Sequence, residues 1–306
     1  MTLHHYGEKL RSVVKTSDMT TFTGVYDVFS ASIAAKYNDG IFVSGFGFAA
    51  SFYGLPDVGF IAWPDMVSYV QRMRTILPDH HILVDIDDGY CDTEVACHVV
   101  SLLESVGASG VIMEDQLRPR RCGHVDGKQI MELDQFMAKL DRVMATRHDI
   151  FVVARTDASD PDDILNRVRA FSGAGVDAIL VDGLRDLQFL KTIKKQFSQP
   201  LMFNQLAGGK SQPCDLDELK SLGVSLVNYS TPCLFAAQTA IEDTMEFLKK
   251  SNGQLPHKDQ QRTRLQECNN VLHENLSRRD KNKKSAHTGN NTGDIPPSVQ
   301  NRRAAI

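Results

Sequence analysis

Three acidic residues, Asp85, Asp87 and Glu114, close two apolar runs, HILVDID and GVIMED, so both runs deliver carboxylates at their ends. Carboxylates packed together repel unless protons or a cation neutralise them. A hard divalent ion does this economically. Mg2+ takes one or two carboxylates directly and keeps several waters, which suits Asp85 as an inner ligand with Asp87 and Glu114 holding waters. A structural network in which Glu114 pairs with Arg155 is compatible with this arrangement. Arg155, near the end of IFVVART, offers a planar fork for a substrate carboxylate. The segment 118–128, RPRRCGHVDGK, is small, turn-rich and charged, the character of a mobile lid. In it Cys122 stands among Arg120, Arg121 and His124, a setting expected to favour thiolate and make the sulfur a usable acid or base. A lone cysteine elsewhere would be a small hydrophobe. His124 is expected to serve lid structure or electrostatics.

These residues need a scaffold that brings distant segments to one rim. From Phe22 to about Lys250, short apolar or β-branched runs alternate with stretches of helical periodicity, the pattern of repeated βα units around a parallel sheet. Eight runs qualify as strands: TFTGVY, GIFVSG, HILVDID, GVIMED, IFVVART, AILVDG, PLMFN and SLVNYS. The last six are continuously hydrophobic, as expected when both sheet faces are covered. Proline opens two predicted helices, at Trp63-Pro64 and Asp160-Pro161, and a glycine precedes several strands, as in Val106-Gly107-Ala108. The fold class is therefore α/β, a (β/α)8 TIM-type barrel. In such a barrel the active site sits where the C-terminal strand ends converge. Those ends are polar here: Ser44, Asp85 to Asp88, Glu114-Asp115, Arg155 to Asp157, Asp182, Asn204 and Ser230. Any one of them could be a helix cap, but capping accounts poorly for all seven ends together.

Residues 1–256 are assigned to the barrel and 257–279 to an extra helix, with Leu265, Cys268, Val271, Leu272 and Leu276 on an apolar stripe that a neighbouring subunit could cover. Residues 280–306 are polar, mildly basic and expected to be a disordered tail. The 306 residues carry a formal charge of −4, which argues against nucleic acid as the main partner. The six cysteines show no paired CxxC spacing, so neither a zinc cluster nor a disulfide framework is expected. No segment has the apolar length of a membrane span, nor does residue 1 onward read as a signal peptide, so a cytoplasmic location is expected.

The blocks VYDVFSA (25–31), SGFGFAASFYGLPDVGF (44–60), DIDDGY (85–90), EDQLRPRRCGH (114–124) and ARTDA (154–158), with the Asn204 strand end, resemble the isocitrate lyase and phosphoenolpyruvate mutase superfamily. The likeness is to its branch of 2-methylisocitrate lyases and carboxyphosphonoenolpyruvate phosphonomutases. The resemblance implies that Ser44, Gly45 and Phe46 line a substrate oxyanion site and that Asp85 binds Mg2+, or alternatively Mn2+. Asp57, Asp87 and Glu114 would hold the metal's waters. Cys122 would be the gating acid or base, working with Arg155 and Glu114. Tyr26, Gly123, His124, Asn204 and Ser230 would complete substrate binding, with Arg155 and Asn204 gripping the acid. The extra helix looks like the family's eighth helix, exchanged between barrels in a homodimer or homotetramer.

The sequence departs from the family pattern in four places. Phe46 stands where carbon–carbon lyases have a small residue, Asp182 replaces a glutamate, Ala207 replaces another, and Ser230 stands in place of a proline. A serine there resembles oxaloacetate hydrolases, although it could equally cap a helix. The expected function is Mg2+-dependent cleavage of a carbon–carbon bond in a small 2-hydroxy or 2-oxo dicarboxylic acid, 2-methylisocitrate-like or oxaloacetate-like, through an enolate. A phosphonomutase on the same scaffold and a non-catalytic acid-binding scaffold are the alternatives. A tail that binds nucleic acid is a weaker one.

Overall fold

The computed structural model describes residues 5–90, 92–256 and 263–288. Cys91, the expected start of the extra helix near Asp259, and the last eighteen residues of the tail lie outside them. Helix α1 (Tyr6–Thr16) leads into β1 (Thr20–Val25), α2 (Val28–Ala34), β2 (Gly40–Val43), α3 (Gly45–Phe48), a π-helical turn (Ala49–Tyr53) and α4 (Trp63–Ile76). Next come β3 (His81–Asp85), α5 (Thr93–Ser105), β4 (Gly110–Glu114), α6 (Leu133–Thr146), β5 (Phe151–Thr156) and α7 (Pro161–Gly173). The chain ends with β6 (Ala178–Val181), α8 (Phe189–Gln196), β7 (Leu201–Gln205), α9 (Leu216–Ser221), β8 (Val224–Tyr229), α10 (Pro232–Lys250) and α11 (Leu265–Thr288).

All eight strands are parallel and close in sequence order, β8 pairing with β1 through Thr20 opposite Leu226. The expected (β/α)8 barrel is thus the observed fold, and each of the eight predicted runs is a strand. Alternation along the strands sorts the core into two layers. Phe22, Leu83, Phe151 and Leu226 point inside the barrel, while Ile82, Val84 and Val152 meet the surrounding helices. The bottom of the inner core is closed by Leu10 and Val14 of α1. That helix is fixed by Asp149, whose carboxylate accepts the Gly7 and Glu8 N–H groups at 2.7 and 2.8 Å, and by Arg11, whose Nε lies 2.7 Å from Asp177. Gly107, Gly175 and Gly223 take φ of 93°, 72° and 88° between helix and strand, the left-handed turn that their sequence repetition suggested.

The C-terminal region differs from expectation. The helix following β8 is α10, so α10 and not α11 occupies the eighth helical place in the βα order. None of its residues is fully buried, and Phe235 reaches the barrel rim against Phe46. Helix α11 starts at Leu265 and continues to Thr288, nine residues beyond Arg279, so residues 280–288 are helical rather than part of a tail. It lies beside α2 and α4 of its own chain, with Lys36 Nζ 2.8 Å from Glu274 and Asn275 donating to Ser32 Oγ at 2.7 Å. Exchange between subunits is not seen in this single chain. Among the described residues, no helix is long and apolar enough to cross a membrane.

One buried cation organises the α4–β3 and α5–β4 turns. Arg74 donates to Gly107 O from Nε and Nη2 at 2.9 and 2.7 Å, and from Nη1 to Leu77, Pro78 and His80 carbonyls at 2.7, 3.1 and 2.8 Å. Its guanidinium stacks 3.9 Å from the Tyr6 ring centroid. Arg74→Met keeps the length but strands four buried or half-buried carbonyls, and is expected to cost about 3 kcal/mol of unfolding free energy in urea denaturation.

Candidate active site

A cavity of about 70 Å³ opens at the C-terminal rim of the barrel. Its lining includes Ser44, Phe46, Asp57, Asp85, Arg120, Cys122, Gly123, His124, Arg155, Asp182, Asn204 and Ser230, drawn from six strand ends and the lid. This space is several times the roughly 10–15 Å³ that one water needs, and it suits a small organic acid. Phe42, Ile112 and Leu180 form an apolar floor.

Two arginines hold the acids together. Arg120, on the lid, is the largest fully buried side chain in the described structure. Its Nε donates to Glu114 at 2.8 Å, and its Nη1 donates to Asp57 and lies 3.1 Å from Asp87. Arg155 reaches Asp157 from Nε at 3.0 Å, Asp182 from Nη2 at 2.8 Å and Glu114 from Nη1 at 3.1 Å. Six carboxylates, Asp57, Asp85, Asp87, Glu114, Asp157 and Asp182, thus surround Arg120, Arg155 and Lys128, the last 2.6 Å from Asp157. Asp157 is held in turn by Asp115, whose Oδ1 accepts the Asp157 N–H at 3.0 Å and whose Oδ2 lies 3.1 Å from Arg167.

Burial dominates the acid–base behaviour. It raises Asp85 and Asp87 above the usual carboxylate range and pushes Glu114 up to about 7, although Arg120 and Arg155 pull the other way. Asp182 goes the opposite direction: burial would raise it, but Arg155, His124 and Asn204 together hold it well below the usual range. For Cys122 the expectation of a favoured thiolate is overturned. Burial raises the thiol above its ordinary 9.0, because Arg120 faces the acids and Arg121 turns to Asp126 O. Cys122 lines the cavity beside Arg155 and Asp182.

The acids fit a hard divalent ion. Asp85 Oδ1 accepts the Asp87 N–H at 3.1 Å, and among the described residues Asp85 has no ion-pair partner, so its other oxygen is open. Gly45 permits this: a Cβ there would stand 3.1 Å from Asp85 Oδ2. Asp87 Oδ1 and Glu114 Oε2 are buried and held by ion pairs alone, each 3.1 Å from an arginine, Arg120 Nη1 and Arg155 Nη1 respectively. The open Asp85 oxygen suits direct binding of the ion, and the other acids could receive its waters where their arginine contacts are released. Asp57, Asp87 and Glu114 all face the Arg120 guanidinium here.

Most residues named from sequence meet at this rim. Glu114 does so from behind, held by both arginines and absent from the cavity wall. Tyr26 does not: β1 ends at Val25, and Tyr26 lines a separate cavity with Asp27, Phe48 and Tyr69 just before α2. Ser44 caps α3 by accepting the Gly47 N–H at 3.1 Å. Ser230 does not cap α10; its hydroxyl donates to Asn204 Oδ1, and Thr231 takes the cap position. Sequence reading did not assign roles to Asp157, Asn228 or Phe235, and it set Arg120 beside Cys122 rather than against the acids. The RPRR run facing an acidic rim was the available signal for Arg120.

A family model described as phosphoenolpyruvate phosphomutase matches residues 10–249. The chain belongs to this family. Among relatives, the chloroplastic carboxyvinyl-carboxyphosphonate phosphorylmutase of Arabidopsis thaliana is 30% identical over 86% of this chain and 80% of its own. The 2,3-dimethylmalate lyase of Eubacterium barkeri is 27% identical over 80% of this chain and 86% of its own. A solved oxaloacetate acetylhydrolase bound to 3,3-difluorooxalacetate superposes with a TM-score of 0.83 at 25% identity, covering 94% of this chain and 99% of that one. The family thus comprises lyases, hydrolases and mutases acting on small acids, and this chain is an enzyme of that superfamily.

The Glu114 shift has a testable sign. Its folded-state pKa of about 7 lies above the ordinary 4.5, so its contribution to folding is complete below pH 4.5 and lost as pH rises through 7. Metal-free protein is expected to lose thermal stability across that window, with Asp85 and Asp87 adding slope of the same sign. Calorimetric Tm values of Glu114→Gln should show a flatter pH dependence than wild type.

Proposed function

We propose that this enzyme cleaves a carbon–carbon bond in a small 2-hydroxy or 2-oxo dicarboxylic acid. The observation that carries the reading is the juxtaposition, in one small cavity, of an open Asp85 carboxylate, the Arg155 charge and the Cys122 thiol, whose burial favours the protonated form. Mg2+, or alternatively Mn2+, held by Asp85 directly and by Asp57, Asp87 and Glu114 through waters, would supply positive charge for an enolate oxygen. Arg155 orients a substrate carboxylate from the opposite wall. Glu114 and Asp182 position it by sharing its guanidinium. As the bond breaks, the C2 hydroxyl, or in a 2-oxo acid a hydroxyl of its hydrate, would give its proton to a rim carboxylate and become a carbonyl, the electron pair of the broken bond would pass to the departing carbon, and the Cys122 thiol would protonate that carbon. The lid closes the cavity through Arg120 and excludes water from the carbanion.

A second reading, transfer within a phosphonate substrate, is favoured by one observation, the relative named as a phosphorylmutase. Purified protein with Mg2+ and a panel of oxaloacetate, 2,3-dimethylmalate, 2-methylisocitrate and phosphoenolpyruvate separates the two. Metal-dependent release of a smaller carboxylate, lost with EDTA and slowed by about 10²–10⁴-fold in Cys122→Ala, is the expected result. A carbon–phosphorus signal in phosphorus NMR would sink the cleavage reading.

We also infer a homodimer or homotetramer assembled through the C-terminal helices. Helix α10 buries no residue and leaves Ile241 60% and Met245 54% exposed, an apolar face that a second chain would cover. Light scattering on the full chain is expected to give a dimer or tetramer, and the Ile241→Asp/Met245→Asp double variant a monomer.

A further inference from the structure

The lid is a loop on a short neck. Its two stems meet in an antiparallel bridge between Gln116 and Ile130, with the Leu117 N–H donating to Gln129 O at 2.8 Å and the Met131 N–H to Asp115 O at 2.7 Å. Beyond that neck, side chains fasten residues 118–128 to the rim. Arg120 reaches Asp57 and His124 lies 3.3 Å from Asp182, but all four of these residues line the cavity. Whatever enters the cavity competes for those contacts.

One carboxylate fastens the lid from outside that wall. Asp157, which follows β5, is buried, and neither it nor Gln116 nor Lys128 lines the cavity. Its two oxygens take Arg155 in a fork, Oδ2 from Nε at 3.0 Å and Oδ1 from Nη2 at 3.1 Å. The same two oxygens receive the lid. Lys128 Nζ, from the far stem, lies 2.6 Å from Oδ1, and Gln116 Nε2, from the near stem, donates to Oδ2 at 3.3 Å. Gln116 turns its other end to the lid backbone, its Oε1 accepting the Arg121 N–H at 2.9 Å. Gly123 closes against the group, since a Cβ there would stand 2.7 Å from Asp157 Oδ1. Asp157 cannot follow the lid outward: Asp115 holds its backbone N–H, and Arg167 holds Asp115 while donating to Met131 O in the neck at 3.0 Å.

Four N–H donors thus meet the four lone-pair sites of one carboxylate. With all four seated, the carboxylate plane is fixed and fixes the Arg155 plane with it. Without the two from the lid, both are free to turn. We propose that Asp157 is a positioning residue that couples closure of the lid to the orientation of Arg155, through Lys128 and Gln116. The proposal rests on the reading of Arg155 as the group that grips a substrate carboxylate, and adds what controls that grip. Such coupling is reciprocal, so an acid held by Arg155 holds the lid down, and loosening the lid weakens the acid. Lys128 and Gln116 thereby govern affinity for a ligand that neither touches.

Oxalate, a small diacid without the 2-hydroxy or 2-oxo group that the proposed cleavage needs, is the probe. It is titrated by calorimetry into the Mg2+-loaded full chain, and hydrogen–deuterium exchange of the lid amides is followed in its presence. In Lys128→Met, oxalate is expected to bind about tenfold more weakly and the lid to exchange about tenfold faster, the effect of losing one charge-assisted hydrogen bond that holds the closed state. Gln116→Met, on the opposite stem, should move both readouts in the same direction by about threefold. Lys128→Arg keeps a cation within reach of Asp157 and should restore both. Either change without the other overturns the proposal, as does wild-type protein that binds no oxalate, and if one variant misfolds the other decides. Oxalate is not cleaved, so the paired response alongside an inert substrate panel would count against the reaction and leave the coupling standing.

Discussion

The structure depends on neutralising carboxylates gathered at one end of a parallel barrel. Strands β3, β4 and β6 and the loop after β5 aim acids at one rim, and the closed sheet leaves them no way to move apart. Arg155 rises from the barrel itself, whereas Arg120 is brought by the lid. Closure of the lid and compensation of the acids are therefore one electrostatic event. Opening the lid would remove the guanidinium from Asp57, Asp87 and Glu114 and leave buried like charges facing one another, a cost that a divalent ion could offset.

Precision at the rim requires stiffness beneath it. The inner core of Phe22, Leu83, Phe151 and Leu226 is sealed from below by α1, and the outer core locks each strand to its helix. Supporting residues carry this rigidity to the charged groups: Arg167 holds Asp115, Asp115 holds the Asp157 backbone, and Asp157 holds Arg155. A side chain with few free rotamers, supported at each remove, keeps its charge oriented without reorganisation during a reaction.

The rim's shape follows from particular contacts. Asp182 receives Arg155, His124 and Asn204 at once. Gly123 is tied to the same cluster, since a Cβ there would lie 2.1 Å from Asp182 Oδ2 and 2.3 Å from Arg155 Nη2. The lid can seat Cys122 only because the residue after it has no side chain. Phe46 then narrows the opposite wall against Phe235.

The barrel and the membership of most of its rim were legible in the residues themselves. Eight apolar runs alternating with helical periodicity leave few other folds, and in a parallel barrel strand-end residues must share a face. That is why Asp85, Glu114, Arg155 and Asn204 could be named together. The burial of the Cys122 thiol, the use of Arg120 as a common counter-ion, the choice of Ser230 as a partner for Asn204 rather than a helix cap, and the unburied face of α10 could not. Each turns on which distant group lies within a few ångströms and on how much water is excluded. Hydrophobic period is a property of neighbouring residues, whereas desolvation and charge pairing are properties of the assembled volume.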